Sequence, residues 1–183
     1  DKKQAVSYLS KFSTLTRTIL EMSEKENITL SEEIKTLGLY LDIEKARFDE
    51  DFSYEINIGY GIDIENIKIP SMLLQPYVEN ALKHGLLHSK KEKKLWISFE
   101  LKDDFLNISI EDNGIGIAKS KIINAQKGNQ KPASFATSAQ ERRVEILNKI
   151  YRNSISLSIE EKKNPSGEVS GTLVKIKLKP LNH

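Results

Sequence analysis

Leu106-Asn107-Ile108-Ser109-Ile110-Glu111-Asp112-Asn113-Gly114-Ile115-Gly116-Ile117 is a strand that runs straight into a glycine turn, with a carboxylate at the junction. Period two sends Leu106, Ile108 and Ile110 to one face and places Asp112 on that same face. A carboxylate at the inner end of a strand must find hydrogen-bond donors or suffer a desolvation penalty. Gly114 and Gly116 follow at once, allowing backbone geometries closed to other residues and the close approach of a ligand. An Asx-turn, with Asp112 bonding its own backbone, accounts for these residues with no ligand. With a ligand, the pattern suits a purine: the carboxylate takes the exocyclic amine and the glycines make room for the ring.

Alternation extends to both sides of this stretch. Tyr54, Ile56, Ile58 and Tyr60 alternate, as do Leu95, Ile97, Phe99 and Leu101; Ile155, Leu157 and Ile159; and Val174, Ile176 and Leu178. With Leu106–Ile110 these predict five half-buried strands. A helix is expected near 72–87 and another near 139–152. The first 48 residues follow the helical period instead. Val6, Leu9, Phe12, Leu15, Ile19 and Met22 form one stripe. Thr29-Leu30-Ser31-Glu32-Glu33 opens a second helix, with acidic residues in its first turn, that runs to Phe48. The stripe of this helical hairpin needs a partner, either the rest of the chain or a second copy. The boundary falls near residue 50, with a helical segment at 1–50 and an α/β sandwich at 51–183.

Lys127–Ser134 is polar with Gly and Pro, which predicts a mobile loop. The wider stretch 118–137 has few large apolar groups and is expected to be a mobile lid. Ser138 and Glu141 have capping-box spacing, which predicts a helix start whose N–H groups attract phosphate oxygens.

Composition excludes several classes. Lys plus Arg number 28 against 26 Asp plus Glu, a formal net charge of +2, so no pull toward nucleic acid is expected. The absence of cysteine excludes disulfides, zinc–thiolate sites and thiol catalysis. No apolar run approaches the ~20 residues needed to cross a bilayer, and the first residues do not read as a signal peptide. A reducing, interior location fits best.

A second segment carries chemistry: Leu74-Gln75-Pro76-Tyr77-Val78-Glu79-Asn80-Ala81-Leu82-Lys83-His84-Gly85. Leu74, Tyr77, Val78, Ala81 and Leu82 make one apolar face, and Asn80 sits at its edge with Lys83 and His84 one turn on. An amide oxygen there can coordinate Mg²⁺ while the lysine meets phosphate oxygens; a plain polar rim fits the same residues. Pro76 fits only a first turn, so regular helix begins near Gln75.

Gln75–Gly85 resembles the N box, and Asp112–Ile117 the G1 box, of histidine kinases of the LytS/YehU type. These belong to the wider ATPase superfamily that includes gyrase, Hsp90 and MutL. Tyr40-Leu-Asp-Ile-Glu-Lys-Ala-Arg-Phe48 is similar to the helix preceding the ATP domain there, and Gly171–Pro180 resembles the closing Gly-Thr strand. The resemblance covers nearly the whole chain. It implies an α+β fold: a two-layer α/β sandwich of the Bergerat type with a five-stranded mixed sheet, preceded by a helical segment left from the dimerisation domain. It assigns Asn80 to Mg²⁺, Lys83 to phosphate, and Asp112 to the adenine amine. His84 and Ile117 lie near the nucleotide, Gly114 and Gly116 shape the pocket, and the Thr172 hydroxyl supports the adenine site.

The implied activity is transfer of the ATP γ-phosphate to a histidine outside this fragment; the alternative is a nucleotide-binding regulatory scaffold. The implied partners are a second copy, through the N-terminal helices, and a cytoplasmic response regulator. The implied location is cytoplasmic, with a membrane anchor only through regions outside this sequence. Two departures stand out. The far end of the lid, Ser134–Arg143, has no glycine where kinases of this superfamily carry a second glycine-rich box. Gyrase-like hydrolases also place a glutamate base four residues before the asparagine, where this chain has Pro76.

Overall fold

Apolar side chains spaced by two can share one buried face only if their strands lie side by side, and here all five do. A computed structural model describes residues 2–48, 51–126, 133–152 and 155–181. Its helices are α1 (Lys2–Ser23), α2 (Leu30–Arg47), α3 (Gln75–Asn80, prolonged by a π turn at Ala81–Leu86), α4 (Ile117–Gln126) and α5 (Ala133–Ile150). Its strands are β1 (Asn27–Thr29), β2 (Phe52–Ile58), β3 (Lys68–Pro70), β4 (Lys93–Lys102), β5 (Phe105–Asp112), β6 (Ile155–Lys163) and β7 (Val169–Leu178). The main sheet has the order β2-β4-β5-β7-β6. The β2–β4 pair is parallel and the remaining pairs are antiparallel, so the sheet is mixed as expected.

Asp103 and Asp104, both at positive φ, turn β4 into β5 in a two-residue hairpin. One sheet face is apolar: Leu95, Ile97 and Phe99 are fully buried, with Ile108, Ile110 and Ile176 beside them. Leu37 and Leu41 of α2, and Leu74, Val78 and Leu82 around α3, cover that face in one continuous core. Each such side chain contributes about 1.5–3 kcal/mol by leaving water. The opposite face is polar, with Ser98 and Ser109 hydroxyls 2.6 Å apart and Lys175 paired to Glu160 at 3.1 Å.

The helical segment is sewn into this sandwich. Thr29 caps α2 through a full capping box with Glu32. A β1–β3 ribbon, absent from the sequence reading, pairs Asn27 with Pro70 and Thr29 with Lys68. Asp42 of α2 accepts from the Tyr54 hydroxyl at 2.6 Å and pairs with Lys11 of α1 at 3.2 Å. On α1 only part of the expected stripe finds cover: Leu15 and Met22 are buried, whereas Val6, Leu9 and Phe12 are exposed.

The structure adds one feature to the expected lid region and corrects another. Residues 117–126 form helix α4, with Ala118 N held by Glu161 Oε1 at 2.8 Å. Helix α5 begins at Ala133, so Ser138 and Glu141 lie inside it and no helix start is available there for phosphate. Nothing in Ala133–Thr137 breaks a helix, so helical propensity extends past the capping pattern. The remainder of the expected loop, 127–132, lies outside the described residues.

Glu33 is 1 % exposed, and one of its oxygens, Oε2, has no hydrogen-bond partner among the described residues. Burial pushes its carboxyl up to about 7, against the pull of the Leu74 and Met72 N–H groups and the Arg143 charge. The folded chain therefore keeps a proton that an unfolded glutamate releases near 4.5, and this group's contribution to stability falls as pH rises from about 4.5 to about 7. We predict that Glu33→Gln gains roughly 1–3 kcal/mol relative to wild type between pH 4.5 and pH 7.5, read by urea unfolding at each pH. A pH-independent difference would refute the burial argument.

Candidate functional site

The buried face of β5 ends at Asp112, which is 3 % exposed. Its neighbours in register are Leu95 on β4 and Thr172 on β7. Asp112 Oδ1 accepts from Gly114 N at 2.8 Å, which is the Asx-turn. Burial nevertheless dominates and raises the carboxyl to about 6, with the Gly114 and Thr172 N–H groups and Lys162 pulling the other way. The turn and a ligand role coexist, because this carboxyl has lost more hydration than its partners return, and it borders a cavity of about 350 Å³.

Ile110, Val174, Leu157 and Ile159 of the sheet form the apolar floor. Tyr77, Asn80, Ala81, His84 and Gly85 make one wall from α3 and its π turn. Gly116, Ile117, Ser120 and Lys121 at the start of α4, with Glu141 of α5, form the rim. A flat apolar floor with one buried acceptor at its end accommodates a planar heterocycle that carries an amine.

The π turn is the local feature that sequence periodicity missed. Leu87 N reaches back five residues to Leu82 O at 2.9 Å, and in the widened turn the buried Gly85 presents its carbonyl to the segment after β5. Ile115 N donates to Gly85 O at 3.1 Å, which locks the glycine turn after β5 onto α3. A Cβ on Gly114 would stand 2.3 Å from the Gly85 carbonyl carbon, and one on Gly85 would stand 2.8 Å from Asp112 Oδ1. Gly171, at φ +139, would put a Cβ 1.8 Å from Asp112 O. Gly85 and Gly171 were legible as the glycines that end one motif and begin another, but only the packing reveals what they make room for.

Six expected residues meet at this cavity: Asn80, His84, Asp112, Gly116, Ile117 and Thr172. Gly114 lies behind it, packed on Gly85. Lys83 does not line it and pairs instead with Glu79 at 2.9 Å on the exposed side of α3. His84 is half-buried, and burial followed by the nearby Lys83 charge holds its pKa below the usual value. Arg143 does not line the cavity and donates to Ser71 O at 2.9 Å. Ser120 and Lys121 were not anticipated, since α4 carries no motif and its position depends on the Glu161 contact, and Glu141 of α5 was read only as a capping residue.

The sequence profile of the histidine kinase-, DNA gyrase B-, and HSP90-like ATPases matches residues 65–180. The chain belongs to this ATPase family. The profile of histidine kinases matches residues 1–52 as well. Sensor protein LytS of Staphylococcus epidermidis is 33% identical over 124 residues, 67% of this chain and 20% of that protein. Sensor histidine kinase/phosphatase LytS of Staphylococcus aureus is 30% identical over 162 residues, 87% of this chain and 27% of that protein. Sensor histidine kinase BtsS of Escherichia coli is 35% identical over 113 residues, 62% of this chain. The chain thus spans about a fifth to a quarter of the length of these relatives.

Among solved structures, the histidine kinase domain of the blue-light activated histidine kinase from Erythrobacter litoralis matches 94% of this chain and 74% of that one, with TM-score 0.58 and 15% identity. The mycobacterial sensor histidine kinase MprB matches 86% of this chain and 100% of that one, with TM-score 0.54 and 17% identity. These likenesses place the fold among histidine kinase ATPase domains.

Gly114→Ala is predicted to force the turn off α3 and destabilise the chain by about 1–3 kcal/mol or more, because its contact is rigid backbone. Gly38→Ala in α2, where a Cβ meets nothing within 4 Å, should instead stabilise by about 0.5–1 kcal/mol. Denaturant midpoints of the two variants check the pair, and equal shifts would contradict the packing account.

Proposed function

We propose that this chain is the ATP-binding catalytic core of a two-component sensor histidine kinase, and that ATP occupies the cavity beside Asp112. The observation that carries the reading is the buried, donor-poor carboxyl of Asp112 at the end of an apolar slot. It accepts the exocyclic N–H of adenine, a bond that guanine, with an oxygen at that position, cannot make. The Thr172 hydroxyl lies across the strand pair from it and supports the same ring edge. Gly116 and Ile117 bound the ring, and His84, kept neutral by its surroundings, lies on the ribose–phosphate side without adding charge.

The donor set around the cavity fits a magnesium ion carried in on phosphates rather than one held in a protein cage. No group of three or more His, Cys, Asp or Glu side chains able to hold a metal exists among the described residues. Asn80, half-buried at the cavity wall, supplies an amide oxygen, the hard neutral ligand such an ion takes beside phosphate. When bound, the metal neutralises phosphate charge during transfer. Lys83, one turn on, needs only a side-chain rotation out of its exposed pair with Glu79 to meet phosphate. Lys121 at the rim is a second cation for the same end.

Water is a poor competitor for the phosphoryl group here. Glu79, the acidic residue of α3, accepts from Gln75 at 3.3 Å and is absent from the cavity lining. The acceptor is a histidine supplied from outside these 183 residues, held in line with the terminal phosphate. The exposed Val6, Leu9 and Phe12 of α1 support a homodimer through the N-terminal helices. A response regulator is the next acceptor, and the parent protein is anchored in a membrane; no helix described here is long and apolar enough to cross one.

Asp112→Asn should weaken Mg·ATP binding about ten- to a hundredfold, the equivalent of about 1.5–3 kcal/mol. Asn80→Asp should weaken binding at the metal–phosphate end, leaving adenosine affinity unchanged. Calorimetry with Mg·ATP and with adenosine separates the two lesions, and wild-type affinity in Asp112→Asn would sink the site. Incubated with γ-labelled ATP, the chain should label a supplied acceptor helix but not itself. Label stable on the chain would place the acceptor within it, and no label on either would favour the scaffold alternative.

A further inference from the structure

The segment Ser71–Leu74, which leads into α3, is gripped by most of the elements around it. Ser71 N donates to Glu26 O at 3.0 Å, and the Ser71 hydroxyl donates to Met22 O at the end of α1 at 2.6 Å. Arg143 of α5 holds Ser71 O, and two residues earlier in that helix Glu141 stands at the cavity rim. Leu74 N donates to Glu33 Oε1 of α2 at 3.0 Å, across 41 residues.

Inside this segment Met72 adopts φ +54, a left-handed conformation that a non-glycine residue holds only when its surroundings enforce it. Leu74 occupies the N-cap of α3 and brings no side-chain cap of its own. Glu33 accepts the N-cap residue's own N–H, the part a glutamate plays in a capping box, and its carboxyl also lies toward the Met72 N–H, so the backbone at and after the strained residue faces a single buried group. Burying a carboxyl is a costly way to fill space, and an aliphatic side chain would do so without the desolvation.

We propose that Glu33 is a positioning residue for the nucleotide cavity: it holds the left-handed turn at Met72 and thereby sets where α3 presents Tyr77, Asn80 and His84. Because Glu33 belongs to α2, and the same turn is tied to the end of α1, a displacement of the N-terminal helices reaches the cavity wall through this turn. Arg143 brings α5 to the same point, so the α3 wall and the Glu141 side of the rim are referred to one segment. The inference rests on reading the cavity as the ATP site.

The test uses the whole chain, a fluorescent trinitrophenyl analogue of ATP with Mg²⁺, and melting temperatures measured without nucleotide. Below its melting temperature, Glu33→Ala should bind the analogue about tenfold more weakly than wild type, while Glu33→Gln, which keeps an acceptor for Leu74 N, stays within about threefold. Met72→Gly added to Glu33→Ala should recover most of the loss, because glycine accepts φ +54 without a carboxyl group to enforce it. Should Glu33→Ala not fold, Glu33→Asp, whose carboxyl is withdrawn by one methylene, replaces it with the same expectations. A Glu33→Ala or Glu33→Asp chain that melts earlier yet binds with wild-type affinity overturns the positioning role, as does failure of Met72→Gly to restore binding. A wild-type chain that does not bind the analogue overturns the ATP reading, and this inference with it; a wild-type chain that binds while every variant matches it overturns this inference alone.

Discussion

Around Asp112 the chain places polypeptide where side chains would ordinarily stand. Gly171 sits against its carbonyl, Gly85 faces its carboxyl, and Gly114 packs its backbone on Gly85. A buried carboxyl tolerates this site only if backbone donors come within about 3 Å, and only residues without a Cβ let three chain segments converge so closely. Much of the architecture follows from that requirement. Strand β7 must carry a glycine, Gly171, against Asp112, the turn after β5 must stay bare, and the helix facing it widens into a π turn.

That convergence also leaves the carboxyl short of solvation, which is what equips it to recognise a ligand. A single N–H at 2.8 Å and the Thr172 amide do not restore what burial removes, so its pKa stays high. The floor beside it is aliphatic and flat, because Ile110, Val174, Leu157 and Ile159 come from adjacent strands of one sheet. Affinity for a flat, amine-bearing ring thus arises from an unmet hydrogen-bonding demand beside an apolar surface.

The helical segment and the sandwich share one hydrophobic core, and polar contacts cross between them at several places. The β1–β3 ribbon, the Asp42–Tyr54 bond and the Glu33–Leu74 bond each join a residue before position 50 to one after it. The helix that walls the cavity is therefore not supported by the sheet alone. Its start is fixed by α2, and its end is fixed by the glycine turn of β5.

Period-two and period-3.6 patterns are local, and they sufficed to identify the five strands of the main sheet, the first two helices and the start of α3 at Gln75. The pairing of Asp112 with a glycine turn was equally local, and so was the half-buried edge position of Asn80. What periodicity could not reveal depends on residues distant in sequence. The π turn exists because Gly85 must meet Gly114, 29 positions later by number. The short β1 and β3 strands lack alternation long enough to register and form only because they meet each other. Helix α5 starts at Ala133 rather than at the Ser138 capping pattern because a cap is only one term against continuing helical propensity. Lys83 was readable as a cation one turn beyond Asn80, but its pairing with Glu79 is a rotamer choice set by the folded surface. The sequence by itself determined the strands, the apolar face and the buried acid; tertiary structure alone decided which backbones come close enough to make a site of them, because close packing is settled by distances between segments that no local pattern encodes.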